Sequence, residues 1–217
     1  MKTKLFLSLV MVLCLSTASS ADIIAYDNFE SSVGTDLDGL DGGIGWSGGW
    51  VVYEETGTAE IGAPLSAPGV PTIGNSAYLQ STQTEWVSTG TRMLRALGQD
   101  IGTPGTTLWG SCLLKSDVVG NSAFYSGFSG ASNSAIGRGW YGGMGLENLS
   151  AGITQTAGQT YRYLWRMDFH EGGALDQYLW IDPVLNGGEP AIGTESVSRS
   201  DGNFGLVNEI SISLEGY

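Results

Sequence analysis

Residues 160–183 decide the fold class, and they read Thr-Tyr-Arg-Tyr-Leu-Trp-Arg-Met-Asp-Phe-His-Glu-Gly-Gly-Ala-Leu-Asp-Gln-Tyr-Leu-Trp-Ile-Asp-Pro. The first half has the period of two that a half-buried strand shows, with its large apolar side chains at Tyr161, Tyr163, Trp165, Met167 and Phe169. The second half alternates in the same way, with Leu175, Leu179 and Ile181 on one face. Gly172-Gly173 supplies the positive φ of a tight turn, and Pro183 ends the second strand because it has no N–H to donate. The stretch predicts a β-hairpin with one apolar face.

Short alternating runs of the same kind recur along the chain, at 23–29, 49–55, 77–80, 91–97, 107–115, 122–128, 140–146, 151–156 and 208–215. Glycine-rich turns separate them, and the chain holds 34 glycines among its 217 residues. No segment shows a long helical period. The pattern predicts an all-β protein, an antiparallel two-sheet sandwich or jelly roll of about ten strands joined by Gly-rich loops. Residues 62–75 are rich in Gly and Pro and predict one long surface loop.

The amino terminus has the layout of a secretory signal peptide. Lys2 and Lys4 precede an apolar run over 5–15, and small residues at Ser19 and Ala21 mark a cleavage site after Ala21. The run is too short to span a bilayer permanently, so we expect no stable membrane insertion after cleavage. Residues 1–21 are therefore interpreted as a leader, and residues 22–217 as one secreted, extracellular domain, either free or associated with the cell surface.

Charge narrows the classes of partner. Removal of the leader leaves seven basic residues (nine less Lys2 and Lys4) against 22 acidic ones, a net charge near −15. Such a surface repels phosphates, so the sequence predicts no nucleic-acid partner. Cys112 is then the only cysteine, which excludes an internal disulfide, and its place in an alternating run predicts a buried, inert thiol.

Several known patterns match residues 39–50. Residues 43–48 fit the dinucleotide-binding G-x-G-x-x-G, and residues 45–49 fit the nucleophile elbow G-x-S-x-G. Both motifs require a following helix, whereas residues 50–54 predict a strand. Asp36, Asp38 and Asp41 are spaced somewhat like a calcium loop, but Leu40 stands where a further acidic ligand would fall. Asp-Gly turns account for this spacing, and we predict no metal and no cofactor.

Six stretches resemble a known family: Tyr-Asp-Asn-Phe-Glu at 26–30, the Gly-rich segments at 34–39 and 42–50, and the strands at 163–169, 179–183 and 208–212. Together they resemble secreted bacterial laminin-G-like proteins, many of which carry an exosortase-type (PEP) sorting tail. The resemblance implies a concanavalin A-like jelly roll of two packed antiparallel sheets. The sorting motif and its apolar tail are not present before Tyr217, so we expect a freely secreted protein or a truncated chain.

A polysaccharide-degrading enzyme is the alternative function, because the same fold houses glycoside hydrolases and polysaccharide lyases. The paired-carboxylate pattern E-x-D-x-x-E of such glucanases does not occur, and Glu209 with Glu215 is its nearest analogue. A lyase needs a basic cluster, and Arg162, Arg166 and His170 share one face of the predicted strand. Alternation alone explains that polar face, so we predict a protein that is not an enzyme.

Aromatic residues carry the favoured function, a non-catalytic lectin-like module that binds an extracellular glycan or cell-surface polysaccharide. Tyr and Trp rings form platforms for sugars, and carboxylates bind their hydroxyls. If Trp180 is exposed in a groove it belongs to a site; otherwise these rings fill the second side of the sandwich. The candidate ligand-binding residues are Tyr178, Trp180, Asp176 and Asp182, with Trp140 and Tyr141 as a second location.

Overall fold

The computed structural model describes residues 22–53, 57–70, 73–81, 91–115, 123–130, 134–136, 143–146, 149–154, 156–184, 189–201 and 206–215. Within these ranges the protein is all-β and antiparallel, and it has no α-helix. The all-β prediction is therefore confirmed. The leader and the Trp140-Tyr141 pair lie outside the described residues.

The strands form one large sheet, one smaller sheet and a separate hairpin. They are β1 (Val51–Tyr53), β2 (Gly57–Gly62), β3 (Ser76–Ser81), β4 (Thr91–Ile101), β5 (Thr107–Lys115), β6 (Ala123–Gly130), β7 (Ser134–Ile136), β8 (Gly143–Leu146), β9 (Leu149–Thr154), β10 (Thr160–Phe169), β11 (Leu175–Ile181), β12 (Val197–Asp201) and β13 (Val207–Glu215). The seven-stranded sheet has the order β1-β4-β13-β6-β7-β8-β9, and the four-stranded sheet has the order β12-β11-β10-β5. Strands β2 and β3 form a separate two-stranded sheet, and β2 also bridges to the amino-terminal segment through Glu60 and Asp36.

The predicted hairpin is the centre of the four-stranded sheet. Strands β10 and β11 pair antiparallel, with Tyr163 opposite Ile181 and Phe169 opposite Leu175. The turn at Glu171–Gly173 is a single 3-10 turn in which Gly172 and Gly173 have φ of 73° and 79°. Both glycines thus take the left-handed conformation that the sequence predicts.

One hydrophobic cluster joins the two larger sheets into a sandwich-like arrangement. From the four-stranded sheet it takes the apolar face of the hairpin, including Tyr161, Met167 and Leu179, and from the seven-stranded sheet it takes Leu97 and Ile101. The predicted inward face of β10 is confirmed, since its members are buried except for Trp165, which is partly buried against the same cluster. Cys112 also packs here, and burial raises the pKa of its thiol to about 12.

A glycine makes room for the largest of these side chains. Trp165 lies opposite Gly110 of β5, and a Cβ built on Gly110 would lie 2.3 Å from the indole. That separation is far below van der Waals contact, so only glycine allows the ring to lie across the neighbouring strand. This pairing was not visible in the sequence because the two residues are distant along the chain.

The strands differ from the predicted pattern at four places. Strands β2, β7 and β12 were not predicted; they are short, and β2 and β12 are rich in Gly, Thr or Ser, which weakens the alternation signal. Residues 23–29, predicted as a strand, contribute only an isolated bridge between Tyr26 and Ile44. The predicted loop after residue 62 is found over its described part.

A buried arginine occupies the core-facing side of β4. Arg95 is 1% exposed and alternates with the buried Met93 and Leu97 on that face. Met93 belongs to a second hydrophobic cluster with Leu37, Trp50, Ala59 and Ile61, whereas Leu97 belongs to the main one. Arg95 therefore separates the two clusters, and its charge requires partners because an unpaired buried charge is very costly.

The partners of Arg95 all come from the amino-terminal segment. Its guanidinium bonds to the carboxylate of Asp27 and, at 2.8 Å, to that of Asp41. Its Nε donates to the carbonyl oxygen of Gly48 at 2.8 Å, and its charge lies 4.9 Å and 5.6 Å from the rings of Trp46 and Trp50. These contacts enclose the guanidinium on several sides, and cation–π attraction adds to the ion pairs.

The Gly-rich segment that matched two active-site patterns serves this enclosure. Trp46 forms a β-bridge with Leu97, and Val51 pairs with Leu94. The four residues 47–50 therefore lie opposite only two residues of β4, one of which is Arg95, and they form a bulge. Gly48 has φ of 136°, and its carbonyl points at the arginine. Strand β1 follows where the dinucleotide motif and the nucleophile elbow need a helix, so both of those interpretations are excluded.

Replacement of Gly110 by alanine tests the contact with Trp165. We expect Gly110→Ala to lower the free energy of unfolding by about 1 to 3 kcal/mol, because the added methyl overlaps the indole. Gly42→Ala is the control, since a Cβ there meets nothing within 4 Å. In a Trp165→Ala background, itself about 3 to 5 kcal/mol less stable, Gly110→Ala should cost almost nothing. Additive losses in urea denaturation would contradict the contact.

Two carboxylates that bind the same arginine differ in burial and so give a matched pair of variants. The side chain of Asp27 is 8% exposed and also accepts the indole N–H of Trp50 at 2.9 Å, whereas that of Asp41 is 70% exposed. We expect Asp27→Asn to cost about 3 to 5 kcal/mol of stability and Asp41→Asn about 1 kcal/mol or less. Equal losses in chemical denaturation would show that Arg95 does not depend on its buried partner.

Candidate functional site

Aromatic and charged side chains collect on one surface, which we name the outer face: the side of the four-stranded sheet opposite the core. Neighbouring positions in the register place them side by side, with Trp109 and Tyr178 flanking Arg166, and Thr107 and Asp176 flanking Asp168. The outer face as used below consists of Trp109 of β5, Arg166 and Asp168 of β10, and Asp176, Tyr178 and Trp180 of β11.

Three rings and one guanidinium form a stack across the outer face. Trp180 lies between Trp109, at 5.5 Å between ring centroids, and Tyr178, at 6.2 Å. The guanidinium carbon of Arg166 lies 5.6 Å from the Trp109 ring and 6.0 Å from the Tyr178 ring. Trp109 and Tyr178 are partly exposed, so the stack presents aromatic surface to the solvent beside a cation.

Two carboxylates border the stack, and each has several hydrogen-bond donors. Asp168 accepts from Nε of Arg166 at 2.8 Å and from the hydroxyl of Thr107 at 2.6 Å through the same oxygen. Asp176 accepts from the hydroxyl of Ser200, and its second oxygen lies 2.9 Å from Nε2 of His170. These bonds hold both carboxylates in place on the sheet.

The electrostatics of the outer face favour the ionised form of Asp176. Its pKa lies below the usual value, chiefly because Ser200 hydrogen-bonds the charged form; burial opposes this effect, and His170 adds to it. This carboxylate therefore contributes stability above its unfolded pKa, and the contribution is lost as the pH falls through the lower folded value. Burial is the main cause of the raised pKa of Tyr178, and the negative charges of Asp176 and Asp168 raise it further. The hydrogen bond that Arg166 donates to Asp168 raises the pKa of Arg166, which keeps that guanidinium charged.

Trp180 does not offer the exposed platform that the sequence suggested. It lies on the predicted face of β11, together with Tyr178 and Asp176, but it is 2% exposed. Trp109 and Tyr178 pack on it, and its indole N–H donates to the Thr194 hydroxyl at 3.2 Å. The expectation of an exposed Trp180 is therefore wrong: alternation gives the face of a strand but not what covers that face.

Asp182 is exposed at the end of β11 and is held by the backbone. Its φ is 48°, and its carboxylate accepts the backbone N–H of Arg162 at 2.7 Å. Its own N–H donates to the carbonyl of Arg162 at 2.8 Å. These two bonds join Asp182 to Arg162 on the paired strand and close the end of the hairpin. Asp182 takes no part in the ring stack. Trp140 and Tyr141 are outside the described residues, and their role stays a prediction.

The sequence missed Trp109 as a member of the site. Its strand was predicted at the correct bounds, but the proximity of Trp109 to Tyr178 depends on β5 and β11 flanking β10. Arg166 and His170 were noted as a basic cluster for a lyase. The structure instead joins each of them to a carboxylate, Arg166 to Asp168 and His170 to Asp176.

The aspartates of the amino-terminal segment have structural partners. Asp36 accepts the backbone N–H of Asp38 at 2.9 Å, and Asp38 accepts that of Val52 at 3.0 Å, while Asp41 binds Arg95. Across the described ranges no group of three or more His, Cys, Asp or Glu residues is arranged to hold a metal ion.

Comparisons of the chain with protein-family models, with curated proteins and with solved structures give no match. In the part of the chain that the structure describes, no helix is long and apolar enough to cross a membrane. The chemistry of the outer face is thus the basis for a functional assignment.

The burial of Trp180 changes the expected effect of its substitution. Trp180→Ala removes a ring enclosed by two others, and we expect a loss of about 3 to 5 kcal/mol in the free energy of unfolding. Substitution of the exposed Tyr78 of β3 (39% exposed) is the control, with a change of about 0.5 kcal/mol or less. A Trp180→Ala protein with an unchanged melting temperature would show that the ring is not enclosed.

Proposed function

We propose that the protein is a secreted, non-catalytic, lectin-like module that binds a glycan on the outer face. The observation that carries the proposal is the juxtaposition of partly exposed Trp109 and Tyr178 with the carboxylate of Asp176. Sugar rings present apolar C–H faces that pack on aromatic rings, and their hydroxyls bond to carboxylates and planar polar groups. The outer face combines both kinds of contact on rigid strands.

We further propose that the fold is a concanavalin A-like jelly roll related to the secreted laminin-G-like proteins. Two antiparallel sheets that share one cluster of buried side chains support this assignment. The residues that carry the resemblance, among them Asp27, Trp46 and Trp50, enclose Arg95. They are determinants of a fold, so the resemblance by itself implies no active site. Secretion into an extracellular or cell-surface location follows from the leader expected at residues 1–21.

A polysaccharide-degrading enzyme remains the second candidate because two carboxylates face each other on the sheet. Asp168 is directly opposite Asp176, and the Cβ atoms of such cross-strand pairs lie about 4.5 to 5.5 Å apart, which lets the carboxyl groups approach the roughly 5 to 5.5 Å found in retaining glycosidases. Catalysis would need one of them to hold a proton at neutral pH, which requires a raised pKa. The pKa of Asp176 is lowered, and Asp168 is bonded to the cation of Arg166, so the pair favours binding over hydrolysis.

Glycan binding is testable with the chain from residue 22 onward on a glycan array, followed by calorimetry on the best ligand. We expect Tyr178→Ala and Trp109→Ala each to weaken binding about 5- to 150-fold, by analogy with the energies of base stacking on aromatic side chains. Tyr78→Ala, which alters an exposed aromatic residue away from the four-stranded sheet, is the control and should bind normally. All affinities are measured below the lowest melting temperature of the set.

Three outcomes would contradict the proposal. They are the absence of binding to every glycan, an equal loss of affinity in the Tyr78→Ala control, and release of reducing sugars from the bound polysaccharide. The last would favour the enzyme, and loss of that release in Asp168→Asn would then assign the reaction to the carboxylate pair.

A further inference from the structure

The faces of the Trp109 and Tyr178 rings attract cations, and a cation of the protein itself, Arg166, already occupies them. Arg166 lies over both Trp109 and Tyr178, at 5.6 Å and 6.0 Å, and its Nε donates to Asp168 at 2.8 Å. The guanidinium is thus shared between two rings and one carboxylate. A cationic ligand would have to displace it, and an anionic ligand would have to compete with Asp168 for it.

The neighbouring arginine is committed in a similar way. Arg162, four residues before Arg166 on the same face of β10, donates from its guanidinium to the carbonyl of Pro183, and its backbone N–H donates to Asp182. These bonds tie Arg162 to the end of the hairpin. Both arginines on the outward side of β10 thus bond to groups of the protein, and the Nε of Arg162, which makes no hydrogen bond, is buried away from a ligand.

Negative charge surrounds the ring stack. Asp168 and Asp176 lie beside it on the sheet, and Asp176 is held in its ionised form by Ser200 and His170. Glu189 and Glu195 precede β12 and act electrostatically on Arg166 and Tyr178 respectively. These four carboxylates outnumber the two guanidiniums of this face, those of Arg162 and Arg166, and make the potential over the rings negative, in keeping with the net charge of the whole chain.

We infer that the outer face selects uncharged glycans, namely neutral hexose or pentose polysaccharides, and excludes those that carry uronate or sulfate groups. The inference rests on the proposed glycan binding and adds the chemical class of the ligand. Neutral sugars pack against the exposed parts of Trp109 and Tyr178 and donate their hydroxyls to the carboxylates, which needs no free cation. A uronate places a carboxylate next to Asp176 and Asp168, where like charges repel. An amino sugar finds the ring faces occupied by Arg166.

Three hexasaccharides of similar length test the inference by calorimetry: cellohexaose (neutral), hexagalacturonate (anionic) and fully deacetylated chitohexaose (cationic). Each is measured in 50 mM and 500 mM NaCl. We expect cellohexaose to bind at least ten times more tightly than hexagalacturonate at low salt, and its affinity to change less than twofold between the two salt concentrations. The difference between the neutral and the anionic sugar should shrink at high salt because exposed charges are then screened.

A pair of charge-neutralising substitutions tests whether the carboxylates cause the exclusion of the anionic sugar. Asp176→Asn combined with Glu189→Gln should raise the affinity for hexagalacturonate at low salt about tenfold. The control is Glu60→Gln on β2, outside the four-stranded sheet, combined with Glu30→Gln in the amino-terminal segment; it removes the same charge and should leave the preference unchanged.

The outcomes separate this inference from the proposal on which it rests. Tightest binding to the anionic or the cationic hexasaccharide overturns the selection for neutral sugars but leaves glycan binding intact. An unchanged preference in the Asp176→Asn, Glu189→Gln variant also overturns it, because another cause would then exclude the uronate. The absence of binding to all three sugars and to every glycan of the array overturns the proposed function itself.

Discussion

The buried charge of Arg95 is the constraint on which the arrangement of the amino-terminal segment depends. A guanidinium on the core-facing side of a strand is stable only when nearly all its donors and its charge are matched. Asp27, Asp41 and the carbonyl of Gly48 provide that match, and no member of the set lies on the strand that carries the arginine. Arg95 therefore holds Asp27, Asp41 and Gly48 of the amino-terminal segment against β4, and it lies between the two hydrophobic clusters.

The central hairpin connects this packing to the candidate site because its two faces lie in different environments. Its inner face packs in the core, where Trp165 lies across Gly110. Its outer face carries the ring stack with Arg166 and the two carboxylates. The same strands that the core holds rigid thus position the candidate ligand contacts, which lowers the entropy lost on binding.

Periodicity predicted the hairpin, its turn and its inward face, since those properties are local. What covers each face could not be predicted, because it depends on strands distant in sequence. Trp180 was correctly placed beside Tyr178 but was expected to be exposed, and its cover comes from Trp109 and Thr194. Arg95 was missed for the reverse reason: a charged residue in an alternating run suggests an outward position, and its carboxylate partners lie 54 and 68 residues away.

The enclosure of Arg95 also has an evolutionary consequence. Asp27, Asp41, Gly48 and the arginine form one unit, so the loss of any buried member leaves a charge without its partner, and a second substitution must then restore the balance. In homologues that retain this bulge, we expect these positions to vary together or not at all, and an apolar residue at position 95 to accompany uncharged residues at 27 and 41. We therefore expect the segment to be inherited as a unit with β4, because its Gly-rich pattern serves a packing arrangement.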